Sequence, residues 1–108
     1  MAVKPRPAPV TRAMSQLGQD LATWRRLRSL TVAQVAERAD VARGVVVKLE
    51  AGGGITVESL LRVARALGVL DSIASCLDPY RTDVGRLRSE EVLPQRVRHR
   101  AAPRPDSS

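Results

Sequence analysis

In residues 30–54, LTVAQVAERADVARGVVVKLEAGGG, a helix is started, stopped and restarted, and few folds accommodate that. Thr31 and Gln34 have capping-box spacing, in which the hydroxyl accepts from the backbone N–H three residues on and the amide reaches back. Val32, Val35, Ala36 and Ala39 give the helix that follows one apolar face, and the pattern runs out near Ala39 and Asp40. Val41, Val45 or Val46, and Leu49 then resume helical spacing until the glycines of EAGGG close it, since glycine readily takes the left-handed conformation at a helix end. Taken alone, the three consecutive valines also suit a buried strand. The flanking signals favour two short helices joined by a turn of about three residues.

The flanks supply three more helical patterns. Upstream, Leu17, Leu21, Trp24 and Leu27 recur at helical spacing, with Gln19, Asp20, Arg25, Arg26 and Arg28 on the remaining surface, so residues 15–28 form a first amphipathic helix. Downstream, Thr56 caps a fourth helix with Val57, Leu60, Leu61, Ala64 and Leu67 facing inward, Glu58 in the first turn and Gly68 at its end. A fifth follows at once with Val69, Leu70, Ile73, Ala74 and Leu77, stopped by Asp78-Pro79. Residues 1–14 read as a basic, proline-rich arm without regular structure, and residues 79–108 as a basic tail with little order. The fold class expected is all-α, with residues 15–78 as one five-helix domain.

Composition narrows what such a domain can do. With 108 residues, no Phe, one Trp and one Tyr, the core must be built from Leu, Val, Ile and Ala, and there is not enough chain for a large enzymatic cleft. His99 is the only histidine, so neither a Ser-His-Asp set nor a multi-histidine metal site can form, and no catalytic residue, metal or cofactor is expected. Gly52-Gly53-Gly54 lacks the Gly-Lys-Ser/Thr of a phosphate cradle. Cys76 falls on the apolar side of the fifth helix, as a buried core thiol or a dimer-interface thiol. No apolar run approaches the about 20 residues that cross a bilayer, and the opening residues lack an apolar signal core, so no membrane partner and a cytoplasmic setting are expected. The net charge of +7 is concentrated in the flanks: residues 15–78 hold eight bases and seven acids, whereas residues 1–14 hold three bases and no acid, and residues 79–108 seven bases and four acids. Basic arms around a near-neutral core are either solvated surface or an electrostatic footprint for phosphate backbones.

A capped short helix, a tight turn and a second helix carrying Arg43, Val47 and Lys48 outward describe a helix-turn-helix, whose second helix lies in the major groove. With Ala36 in mid-helix, Val41 after the turn and Leu49-Glu50-Ala51-Gly52 closing the second helix, residues 15–77 resemble the five-helix domain of the lambda-repressor and Cro-like (XRE) regulators. The chain departs from that pattern at Val32, where the family commonly has Gln, at Ala42, where it has a Ser or Thr cap, and at Gly44, inside the second helix. The resemblance implies a sequence-specific repressor acting on double-stranded operator DNA. The following GRLRSEEVLPQRVRHR is similar to HipB-like antitoxins, which bind their own operator as dimers and hold a HipA-like kinase. A protein-interaction module with DNA binding secondary is the other class these features allow.

The DNA-contacting candidates are Thr31, Arg38, Ala42, Arg43, Gly44, Val47 and Lys48. Arg43 is a guanine reader or a solvated helix residue; Val47 touches a thymine methyl or packs in the core. Arg38 and Lys48 suit phosphates, and Thr31 is a cap that can also reach DNA. Arg96, Arg98 and Arg100 are candidate backbone contacts from the tail. Glu50 is structural, bonding backbone or an arginine of the first helix. Val69, Leu70, Ile73 and Leu77 are more apolar positions than a short helix needs to dock on one side, and they mark the expected homodimer interface.

Overall fold

A computed structural model describes residues 4–92, and among these only helices and turns occur. They are α1 (Ala8–Leu27), α2 (Val32–Ala39), α3 (Arg43–Glu50), α4 (Val57–Leu67), α5 (Leu70–Ser75), a 3-10 turn at Pro79–Arg81, and α6 (Asp83–Val92). The chain divides between Ile73 and Ala74 into two compact units.

The first unit packs α1 to α4 around an aliphatic core of Leu21, Leu30, Val35, Ala36, Ala39, Val46, Leu49, Val63 and Leu67. No aromatic side chain takes part. Local chemistry sets most of the boundaries. Thr31 Oγ1 accepts from the Gln34 backbone N–H at 3.1 Å while Gln34 Oε1 accepts from the Thr31 N–H at 2.9 Å, closing the capping box of α2. α2 ends where Asp40 adopts φ 57°, a left-handed conformation that its short polar side chain tolerates better than most, and Val41 N–H returns to the Ala36 carbonyl. Thr56 caps α4 through the Ser59 N–H, and Gly68, at φ 79°, ends it with Val69 N–H on the Ala64 carbonyl.

Several expectations need correction. α1 starts at Ala8 rather than near Ser15, because Pro7 stands at its N-cap and Pro9 in its first turn, where a missing N–H costs nothing and the fixed φ suits a helix. Trp24 and Leu27 do not face the core; both are exposed, and Arg28 stacks over the Trp24 ring at 5.3 Å while its Nε donates to the Leu67 carbonyl. Val57 is 70% exposed, and Val63 takes the buried place on α4 instead. α5 is only six residues long, since Val69 is used to close α4, and Asp78 caps the 3-10 turn through the Tyr80 N–H. Cys76 lies beyond the end of α5 and is exposed, so it is no core thiol.

The second unit is more ordered than its sequence suggests. Thr82 accepts from the Gly85 N–H at 2.9 Å and starts α6, Arg86 pairs with Asp83 and donates to the Tyr80 carbonyl, and a Cβ at Gly85 would strike the Pro79 carbonyl. No residue of α6 or of the 3-10 turn is buried.

Candidate nucleic-acid interface

α2 and α3 are eight residues each, with Asp40, Val41 and Ala42 between them. α3 divides cleanly by helical period. Val46 and Leu49 are buried and Val45 is half-buried, whereas Ala42, Arg43, Gly44, Val47 and Lys48 are exposed. Of the three valines, the core takes Val46, and Val47 is 56% exposed on the same face as Arg43. Arg38, in the last turn of α2, Arg43 and Lys48 have no ion-pair partner among the described residues, and the stem of Lys48 lies over Gly53, where a Cβ would come within 2.5 Å of its Cγ. Thr31 is exposed at the N-terminus of α2.

What holds α3 is tertiary. Ala42 supplies no side-chain cap, and Gly44 lies in the first turn, so local signals are poor. At the other end, Arg25 Nε donates to Glu50 Oε2 at 2.7 Å and Nη2 to Oε1 at 3.2 Å, while Nη1 donates to the Leu30 carbonyl at 3.0 Å. The two side chains are 16% and 17% exposed, so this fork ties α1, the α1–α2 turn and α3 together away from bulk water. The hydrogen bond to Glu50 raises the Arg25 pKa above its ordinary value, against the opposing effect of burial. Gly18 lets α1 approach the same end of α3: a Cβ there would sit 2.3 Å from the Leu49 carbonyl oxygen. By helical position Arg25 falls on the surface, and no local signal marks Gly18; the Glu50 side of the pair is legible in the sequence, as an acid expected to bond backbone or an arginine of the first helix.

Residues 21–70 match a family model described as helix-turn-helix, spanning the last two turns of α1 to the first residue of α5. Residues 21–70 form an XRE-type helix-turn-helix domain. That family is a DNA-binding regulatory domain and not an enzyme family, and the helix-turn-helix here is α2, the turn at Asp40–Ala42, and α3. No curated protein and no solved structure matches the chain.

The remaining candidates lie outside the helix-turn-helix proper. Val69 packs against the core, Leu70 and Ile73 are half-buried on α5, and Leu77 is 89% exposed in the second unit. Arg96, Arg98 and Arg100 lie outside the described residues. Among the described residues no group of three His, Cys, Asp or Glu side chains could hold a metal, and no helix is long and apolar enough to cross a membrane.

Proposed function

We propose that the chain is a sequence-specific repressor that lays α3 in the major groove of an operator, Arg43 against a guanine edge and Val47 one turn on, with Thr31, Arg38 and Lys48 at phosphates. The observation that carries this reading is the exposed Arg43–Val47–Lys48 face on a helix whose opposite side is locked to α1 by Arg25–Glu50 and Gly18. A bidentate arginine–guanine contact is worth about 1–3 kcal/mol. Arg43→Ala should therefore cost that much on a selected duplex and little on random DNA, measured by mobility shift at fixed salt; equal losses on both would remove Arg43 from the reading surface. Arg96→Ala should instead weaken binding evenly and flatten its salt dependence, as lost phosphate neutralisation does.

One recognition helix reads too few bases to select a site in a genome, so the repressor acts as a homodimer with half-sites about 34 Å apart. Leu70 and Ile73 on α5 are the apolar positions of the first unit offered for that pairing. Ile73→Asp should leave a folded monomer with sharply weaker operator binding, read by sedimentation and mobility shift; an unchanged dimer places the interface elsewhere.

A second reading is favoured by the second unit, where Leu77, Val84 and Leu87 are all exposed and no residue of α6 is buried. Such a surface suits a module that holds a protein partner, as an antitoxin holds a HipA-like kinase. Whether the adjacent reading frame encodes a kinase-like protein, and whether its product associates with the chain and loses kinase activity, tests it: no such frame, or no association and unchanged kinase activity, would discard this reading.

A further inference from the structure

We infer that α1 carries a self-complementary surface, made by Asp20, Trp24 and Arg28, on which the α1 helix of a second copy of this chain lies antiparallel. This rests on the homodimer reading and adds a second helix to its interface. Trp24 is 40% exposed and Leu27, one turn on, is 68% exposed; they are the largest apolar side chains that α1 leaves to solvent. Neighbouring uncovered side chains of this size mark an interaction surface. Arg28 holds it in shape. Its Nε donates to the Leu67 carbonyl at 3.0 Å and its guanidinium lies over the Trp24 ring at 5.3 Å, so the indole is braced before any partner arrives. A braced ring loses little rotamer freedom on binding, and tryptophan and arginine are the residue types that dominate interface energies.

Charge selects the occupant. Asp20, Trp24 and Arg28 stand four residues apart, on one side of the helix and about 12 Å from end to end. The Asp20 carboxylate accepts from the Gln16 amide at 2.9 Å, and neither Asp20 nor Arg28 has an ion-pair partner among the described residues. An acid and a base spaced equally on either side of a tryptophan match their own reverse. A two-fold axis at Trp24 sets Asp20 of each copy opposite Arg28 of the other and brings the two indoles together, the reciprocal pattern that a symmetric dimer requires. The surface also runs on towards α5. A Cβ on Gly68 would stand 3.0 Å from Arg28 Nη2, and Leu70 and Ile73, the positions proposed for pairing, follow within the next two turns.

Trp24 is the single tryptophan of the chain, so its emission reports on this surface alone. On dilution of the full-length chain, sedimentation should show dimer giving way to monomer, and over the same concentrations the emission should move to the red and become easier to quench with iodide. Trp24→Ala and Asp20→Arg should each raise the dimer dissociation constant at least about tenfold, the first by removing the anchor and the second by setting arginine against arginine twice. Both positions are exposed, so both variants should fold, and thermal melts verify that. Arg28→Glu should also pair poorly alone, yet an equimolar mixture with Asp20→Arg should pair about as tightly as the wild type, because each mixed dimer regains two contacts of opposite charge. Should Arg28→Glu fail to fold after losing the Leu67 contact, the Asp20→Arg and emission results decide. Emission that does not follow dissociation, Asp20→Arg pairing as the wild type does, or two folded variants whose mixture does not pair would overturn the inference while leaving the homodimer reading intact. A wild type that stays monomeric at every concentration and on its operator overturns both.

Discussion

α2 and α3 are the same length, lie three residues apart and bury comparable apolar faces, yet they are stabilised in opposite ways. α2 carries its own signals: a closed capping box at Thr31–Gln34 and a left-handed stop at Asp40. α3 begins without a side-chain cap and spends its second position on glycine, so its order comes from Arg25–Glu50 and from the close approach at Gly18. The difference teaches where freedom was needed. A helix held from behind by other elements can leave its first turn uncapped on the outer face, whereas α2 commits the Thr31 hydroxyl and the Gln34 amide to its own start.

The largest blow to that arrangement should be Glu50→Ala. Removing one partner of a buried, hydrogen-bonded pair costs about 3–5 kcal/mol, because the guanidinium of Arg25 is left unmatched. The slight exposure of this pair favours the lower end, and urea denaturation measures it. Next comes Gly18→Ala, which forces a methyl against the Leu49 carbonyl and should cost about 1–3 kcal/mol, with the added sign that amides of α3 lose hydrogen-exchange protection more than those of α2. If α2 and α3 lose protection equally, α3 has no special dependence on α1. The smallest effects sharpen the contrast in caps. Thr31→Ala should destabilise by about 1 kcal/mol, and Ala42→Ser should stabilise by up to about 1 kcal/mol, since one removes a cap and the other supplies the missing one. Both are read as shifts of the denaturation midpoint.

The elements legible in the sequence are those whose signals act within one or two helical turns. Thr31, Thr56, Gly52 and Gly68 mark boundaries because each works on a backbone group a few residues away. The same reach explains some failures of reading. Pro7 and Pro9 start α1 by local chemistry, but a proline-rich run reads equally well as an unstructured arm, and only a following helix long enough to use those prolines as its first turn separates the two. Thr82 and Gly85 were likewise a start signal in a stretch too poor in apolar residues to suggest a helix.

Periodicity was a weaker guide to which side of a helix is buried. Trp24, Leu27 and Val57 fit an apolar stripe by spacing, yet their neighbours do not cover them, and Arg28 takes the space over Trp24. In the valine run, spacing left both Val45 and Val46 as core candidates, and packing against the other helices assigned the core to Val46.

By itself, then, the sequence determined an all-helical domain with an aliphatic core, the capped α2, the turn, the restart at α3 and the exposed cations that follow from it. The tertiary structure alone decided how α3 is held. Gly18 meets the Leu49 carbonyl across 31 residues of chain and Arg25 meets Glu50 across 25, and separations of that kind carry no period or spacing in the text. They arise only when folding brings α1 against the end of α3, where one missing Cβ and one pair of opposite charges fix the angle at which the outer face is presented.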